Sequence, residues 1–153
     1  MKTTIGAVAF LVLAVGCGPG NVFHGDLAFS EGERTVIEEA AATMAERTGG
    51  EPVVIVWDGD VGAGEQRILR RRPPSPTADG QLIFSTENVS RSLYVLPELE
   101  EPRLRAVAEH EWGHWYGLSH LPEGESGLMA RGASGSWGEA DVAECRRHDL
   151  CAY

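Results

Sequence analysis

The chain has 153 residues and a formal net charge of −10, from 13 basic and 23 acidic side chains. That length is one domain, large enough for a real core. The acidic balance argues against nucleic acid or an anionic membrane surface as a partner of that domain. The only lysine is Lys2, and every later positive charge is an arginine.

Residues 1–16 read as an export signal. Met1-Lys2 supplies a short positive start, and the apolar run over 5–15 is too short to span a membrane. It ends in Ala14-Val15-Gly16-Cys17. Small residues before a cysteine at this place resemble the bacterial lipobox, which implies lipidation of Cys17 as the new N-terminus. A plain secretory signal cleaved near Gly16 is the alternative, and both export the protein. A lipidated Cys17 would anchor the chain to a membrane without spanning it, in the periplasm or at the cell surface. Residues 17–25 then read as a linker, and 26–153 as the folded domain.

Within that domain, Ser30 followed by Glu33 is a capping box, and Ile37, Ala40, Ala41 and Met44 recur at helical spacing until Gly49-Gly50. A helix is expected over 30–48. Val53-Val54-Ile55-Val56-Trp57 is a continuous, β-branched apolar run, which predicts a buried central strand. Asp58-Gly59-Asp60 reads as a turn, lacking the further oxygen ligands of a calcium loop. Arg67, Arg70, Arg71 and Arg72 running into Pro73-Pro74-Ser75-Pro76 read as a charged surface loop, the alternative being a flexible rim that contacts acidic substrate groups. Two more strands are expected over 81–85 and 92–96.

A helix opened by Pro97 or Pro102 follows, with Leu104, Val107, Ala108 and Trp115 on one arc facing the sheet. It carries the stretch that organises the chain: His110-Glu111-Trp112-Gly113-His114-Trp115-Tyr116-Gly117-Leu118-Ser119-His120. Helical residues four apart sit one above the other, so His110 and His114 can reach one metal ion. Gly117 permits the positive φ that ends the helix and lets the chain return His120 to the same ion. Three imidazoles leave the fourth position of a tetrahedral Zn²⁺ open for water, the catalytic arrangement. Glu111 lies on a neighbouring arc, where it can hold a proton without binding the metal. H-E-x-x-H alone arises by chance in many helices; the added glycine and third histidine narrow the reading to zinc. Downstream come Gly127-Leu128-Met129, a loop over 132–136, and a last helix over 139–147. Cys145 and Cys151 are an even pair that suggests a disulfide in an exported chain. They can bond only if the helix breaks between them.

The pattern H-E-x-x-H-x-x-G-x-x-H, with a methionine nine residues beyond its third histidine, resembles the zinc signature of the metzincin metallopeptidases, with spacing most similar to the matrixins. The resemblance covers 110–129. Leu121 replaces the usual serine after the third histidine, and the tyrosine ligand that some metzincins add after the methionine is absent. The resemblance implies an α+β fold: a small twisted mixed sheet with two long helices, the zinc helix at the cleft, and a short C-terminal subdomain holding the Met-turn and one helix. It implies that Met129 floors the site. It makes one of the two strands before the zinc helix an edge that pairs with an extended peptide. The expected activity is zinc-dependent endopeptidase, with Glu111 as general base and His110, His114 and His120 as ligands, acting as a monomer on peptide or protein substrates. The competing class is a non-catalytic or latent zinc-binding scaffold lipoprotein. Phe23-His24-Gly25-Asp26 is similar to a latency segment of astacin-like relatives whose aspartate binds the zinc; a loop aspartate is the alternative for Asp26.

Overall fold

The computed structural model describes residues 21–59, 66–84, 91–131 and 135–151. The expected export signal, Cys17, Asp60 and the centre of the 132–136 loop lie outside them. The described elements run β1 (Val22–Gly25), α1 (Glu31–Thr48), β2 (Val54–Val56), β3 (Gln66–Arg70), β4 (Gly80–Phe84), β5 (Arg91–Val95), α2 (Glu101–Trp115) and α3 (Glu139–Arg147). This is an α+β fold with a five-stranded mixed sheet in the order β2-β1-β3-β5-β4. Only the β4–β5 pair is antiparallel. Among the described residues no helix is long and apolar enough to cross a membrane.

Local chemistry explains the first helix. The Ser30 hydroxyl accepts from the Glu33 amide, and the Glu33 carboxylate accepts from the Ser30 amide. Two otherwise orphaned helix-end donors are thereby satisfied. Gly49 stops α1 in the left-handed conformation, at φ 68°. Val36, Ile37, Ala40, Ala41 and Met44 are buried on one face. Ion pairs Arg47–Glu109 and Arg105–Glu39 join α1 to α2.

The sheet corrects three expectations. Residues 22–25, the end of the expected linker, form β1, which lies between β2 and β3. Phe23 is fully buried there, edge-on to Trp112 and Trp115 with both ring centroids 4.9 Å away. Each such aromatic pair adds about 0.5–1.5 kcal/mol beyond area burial. The segment expected as a buried central strand is instead the edge strand β2, with Val54 and Val56 44% and 37% exposed. Val53, Ile55 and Trp57 turn the other way, onto the core, so the run alternates with strand period despite being apolar throughout. The arginine-rich stretch begins inside the sheet: Ile68 and Leu69 of β3 are buried. Arg70 reaches out from β3 to the Glu33 carboxylate and the Pro97 carbonyl.

β4 and β5 fall within a residue of their expected positions. α2 starts at Glu101 with Pro102 in its first turn, where a missing amide hydrogen breaks no helical bond. Leu104, Val107, Ala108 and Trp112 of α2 are buried.

Candidate metal centre

α2 ends in a way that builds half of the site. Gly117 takes φ 95°. The Gly117 amide donates to the His114 carbonyl, and the Leu118 amide to the Gly113 carbonyl. This is a Schellman ending, in which a left-handed residue past the helix lets two terminal carbonyls find donors. The same turn brings the Leu118 carbonyl to His114, whose Nδ1–H donates to it at 2.8 Å. Six residues after His114, His120 returns to the helix.

The other half comes from the segment after His120. His110 donates from Nδ1 to the Leu128 carbonyl at 2.8 Å. The Leu121 amide donates to the Met129 carbonyl. Met129 is fully buried. A Cβ built on Gly113 would lie 2.5 Å from Met129 Sδ, so the glycine within the helical motif lets the methionine press against α2. Asp141 of α3, fully buried, holds this segment. Its Oδ2 accepts from the Leu128 and Gly138 amides at 2.9 and 2.8 Å, and its Oδ1 from the Met129 amide at 2.8 Å.

Three imidazoles converge as a result. The Nε2 atoms are separated by 3.1 Å (His110–His114), 3.2 Å (His110–His120) and 3.3 Å (His114–His120). In His110 and His114 the proton sits on Nδ1, donated to a carbonyl, so Nε2 presents a lone pair. Lone pairs facing one another at this range repel unless a cation lies between them. A tetrahedral divalent ion with metal–nitrogen bonds of about 2.0–2.1 Å sets its nitrogens about 3.3–3.4 Å apart. The three histidines therefore lie close enough to hold one metal ion, and their spacing fits that geometry.

Electrostatics favours the neutral form of all three imidazoles. Burial, reinforced by the other two histidines, lowers the His110 pKa to about 4. Burial also lowers His114 and His120, the latter helped by the charges of His114 and Arg131. Neutral imidazole is the metal-binding form. Glu111 is also buried, and desolvation pushes its carboxyl up to about 7 against the opposing effect of a hydrogen bond from the Leu82 amide. That bond, 2.7 Å to Oε2, ties Glu111 to β4. β4 is the last strand of the sheet, and Leu82 points its amide away from β5 and into the cleft. By strand alternation the main-chain groups of Gly80 and Phe84 face the same way. The cleft has a volume of about 350 Å³ and is lined by the three histidines, Glu111, the start of β4, Val107, Arg103 and Arg131.

His110, Glu111, His114, Gly117, His120 and Met129 are thus gathered at one place. Cys145 and Cys151 lie at disulfide distance, with Cα atoms 5.3 Å apart. The chain breaks from helix between them, Asp149 taking φ 55°. Asp26 is elsewhere: its carboxylate accepts from the Ala28 amide in the turn before α1. With Phe23 in the core and Gly25 in the sheet, the segment is built into the fold and not laid over the metal site, which overturns the latency reading. The residues that sequence reasoning did not single out are Asp141, the Leu82 amide, Arg103 and Arg131. An acidic residue early in α3 was visible, but its link to Leu128 and Met129 spans a loop and has no local signal. No protein-family model matches the chain, and no curated protein matches it.

Proposed function

We propose that the chain is an exported zinc endopeptidase of the metzincin type, hydrolysing peptide bonds in the cleft between β4 and α2. The observation that carries this reading is the convergence of three Nε2 atoms at 3.1–3.3 Å beside a buried carboxylate that is not one of the ligands. Three nitrogen donors at tetrahedral spacing suit zinc, with the fourth position open. His110, His114 and His120 hold it, and Met129 packs beneath them. When bound, zinc supplies Lewis acidity, lowering the pKa of a water and polarising the scissile carbonyl. Glu111 does the proton work: Oε1, the oxygen not engaged by Leu82, takes a proton from the attacking water and delivers it to the leaving amine nitrogen as the C–N bond breaks. The outward main-chain groups of β4 grip an extended peptide as an added strand, and the pockets alongside select its side chains. Lipidation at Cys17 holds the enzyme on a membrane, and the Cys145–Cys151 pair accords with an oxidising compartment.

One observation favours a second reading. The hydrogen bond from Leu82 gives Glu111 a structural task, as a non-catalytic or latent zinc-holding lipoprotein would require. Peptide hydrolysis by the protein beginning at Gly18, beside Glu111→Ala, separates the two when zinc content is assayed on both. The protease reading expects the variant to keep zinc and lose about 10²–10⁴-fold in turnover, with a chelator silencing the parent. Equal zinc in both and no cleavage by either would put the scaffold reading in its place.

A further inference from the structure

The cleft holds two guanidinium groups in different circumstances. Arg103 donates from Nε and Nη2 to Asp79 Oδ2, at 2.8 and 2.5 Å, so its charge is met within the protein. Arg131, two residues beyond Met129, lines the same cleft and is exposed. Among the described residues it makes no ion pair or hydrogen bond. Its charge is close enough to His120 to disfavour protonation there.

Charge counting over the cleft sharpens the point. Arg103 and Arg131 stand against Asp79 and Glu111, two positive groups against two negative. The lining is neutral by itself, and a divalent metal on three neutral imidazoles leaves the cleft positive, inside a chain whose net charge is −10. The negative groups are also engaged: Asp79 by Arg103, and Glu111 by Leu82. The unspent charge is at Arg131. A guanidinium offers paired N–H donors that match the two oxygens of a carboxylate.

We propose that Arg131 receives a carboxylate of the substrate, so that the enzyme prefers peptides bearing an acidic group beside the cleaved bond. This rests on the hydrolytic reading above and names the substrate class it would take. The carboxylate has two chemical sources, an Asp or Glu side chain within the peptide or the free carboxylate at its C-terminus. The overall negative charge of the protein slows the approach of such peptides, so Arg131 acts by holding and registering them rather than by drawing them in.

The test uses the zinc-loaded protein, its Arg131→Gln and Arg131→Lys variants, and Arg103→Gln. Two readouts are taken. The first is calorimetric binding of glutaric acid monohydroxamate against its amide analogue, which needs no turnover. The second is kcat/KM for peptide pairs with Glu or Gln on either side of the cleaved bond, each with a free or amidated C-terminus. A charge-assisted hydrogen bond at a partly exposed site predicts about tenfold tighter binding of the acid than of the amide. That preference should vanish in Arg131→Gln, survive in part in Arg131→Lys, and persist in Arg103→Gln. Preference among amidated peptides identifies a side-chain carboxylate; preference confined to free acids identifies the chain terminus. Equal binding of acid and amide by the parent, or an undiminished preference in Arg131→Gln, overturns the proposal. If the probes discriminate through Arg131 but no peptide is cut, the anion site stands and the protease reading falls. Cleavage without any charge preference means the reverse.

Discussion

Replacing Asp141 by Asn tests how far the site depends on a residue that never touches the metal. Oδ2 accepts from two backbone amides and Oδ1 from one, all within 2.9 Å, in a fully buried position. The best placement of the Asn oxygen keeps the Leu128 and Gly138 bonds and turns its NH₂ onto the Met129 amide, donor against donor. One charge-assisted bond is lost and one buried amide is left unpaired, partly offset by the easier burial of a neutral group. The net loss is about 2–4 kcal/mol, or roughly 5–15 °C in Tm for a chain of this size. The consequence at the metal follows from connectivity: the Leu128 carbonyl orients His110, and Met129 supports Gly113. Loss of such an outer partner weakens metal binding by about 10–100-fold. The assay is thermal unfolding of the metal-free protein together with zinc competition against a chromophoric chelator. Glu144→Gln serves as control, since that carboxylate lies on the same helix but meets Arg147 and His148. A lower Tm with unchanged zinc affinity would refute the coupling and reduce Asp141 to an anchor for α3.

Three further outcomes are expected. Gly113→Ala forces a methyl toward Met129 Sδ, so overpacking should destabilise the protein by about 1–3 kcal/mol and weaken zinc binding; a variant with parental zinc affinity would show that Met129 moves freely. The pKa of His110 is lowered from 6.5 to about 4, so as pH falls through that window the unfolded chain takes up the proton first. Stability of the metal-free protein should therefore drop by up to roughly 3 kcal/mol between pH 6.5 and 4, and urea titrations should find this slope reduced in His110→Gln. Cys151→Ser opens a link between residues six apart; about 2 kcal/mol of stability should go with it while zinc affinity stays unchanged, and unaltered melting on reduction of the parent would count against a bonded pair.

What could be read from the sequence divides along lines of chain proximity. α1 was legible in full because its cap, its apolar stripe and its terminating glycine lie within one continuous stretch. α3 has the bounds expected of it, Glu139–Arg147, without a side-chain cap or a terminating glycine. The sheet was less legible. β1 has four residues, too few to carry a period, and it is central only because distant segments pair with both of its edges. The apolar run that includes β2 suggested burial on both faces; its position at the sheet edge exposes Val54 and Val56, and no local property of the run distinguishes the two situations. β3 was hidden by its arginines. Ile68 and Leu69 bury opposite faces of the strand while Arg70 extends out to Glu33, a satisfaction that depends on where α1 packs.

The candidate site divides in the same way. The stretch from His110 to His120 specifies the metal-facing atoms and, through the Leu118 carbonyl, the tautomer of His114. Everything in that set follows from helix spacing and one left-handed glycine. The tautomer of His110 is set by Leu128, which is held in turn by Asp141, thirty-one residues along the chain from His110. Glu111 is oriented by Leu82, on a strand that precedes α2. The motif thus names the candidate ligands, whereas much of their preorganisation belongs to three segments folded onto it. Preorganisation is the part that keeps three Nε2 atoms 3.1–3.3 Å apart. Isolated imidazoles would rotate away from such a contact. Here two carbonyls fix the His110 and His114 rings, and a buried methionine and a buried carboxylate support the segment that meets them, so the three nitrogens lie close enough to hold a metal ion.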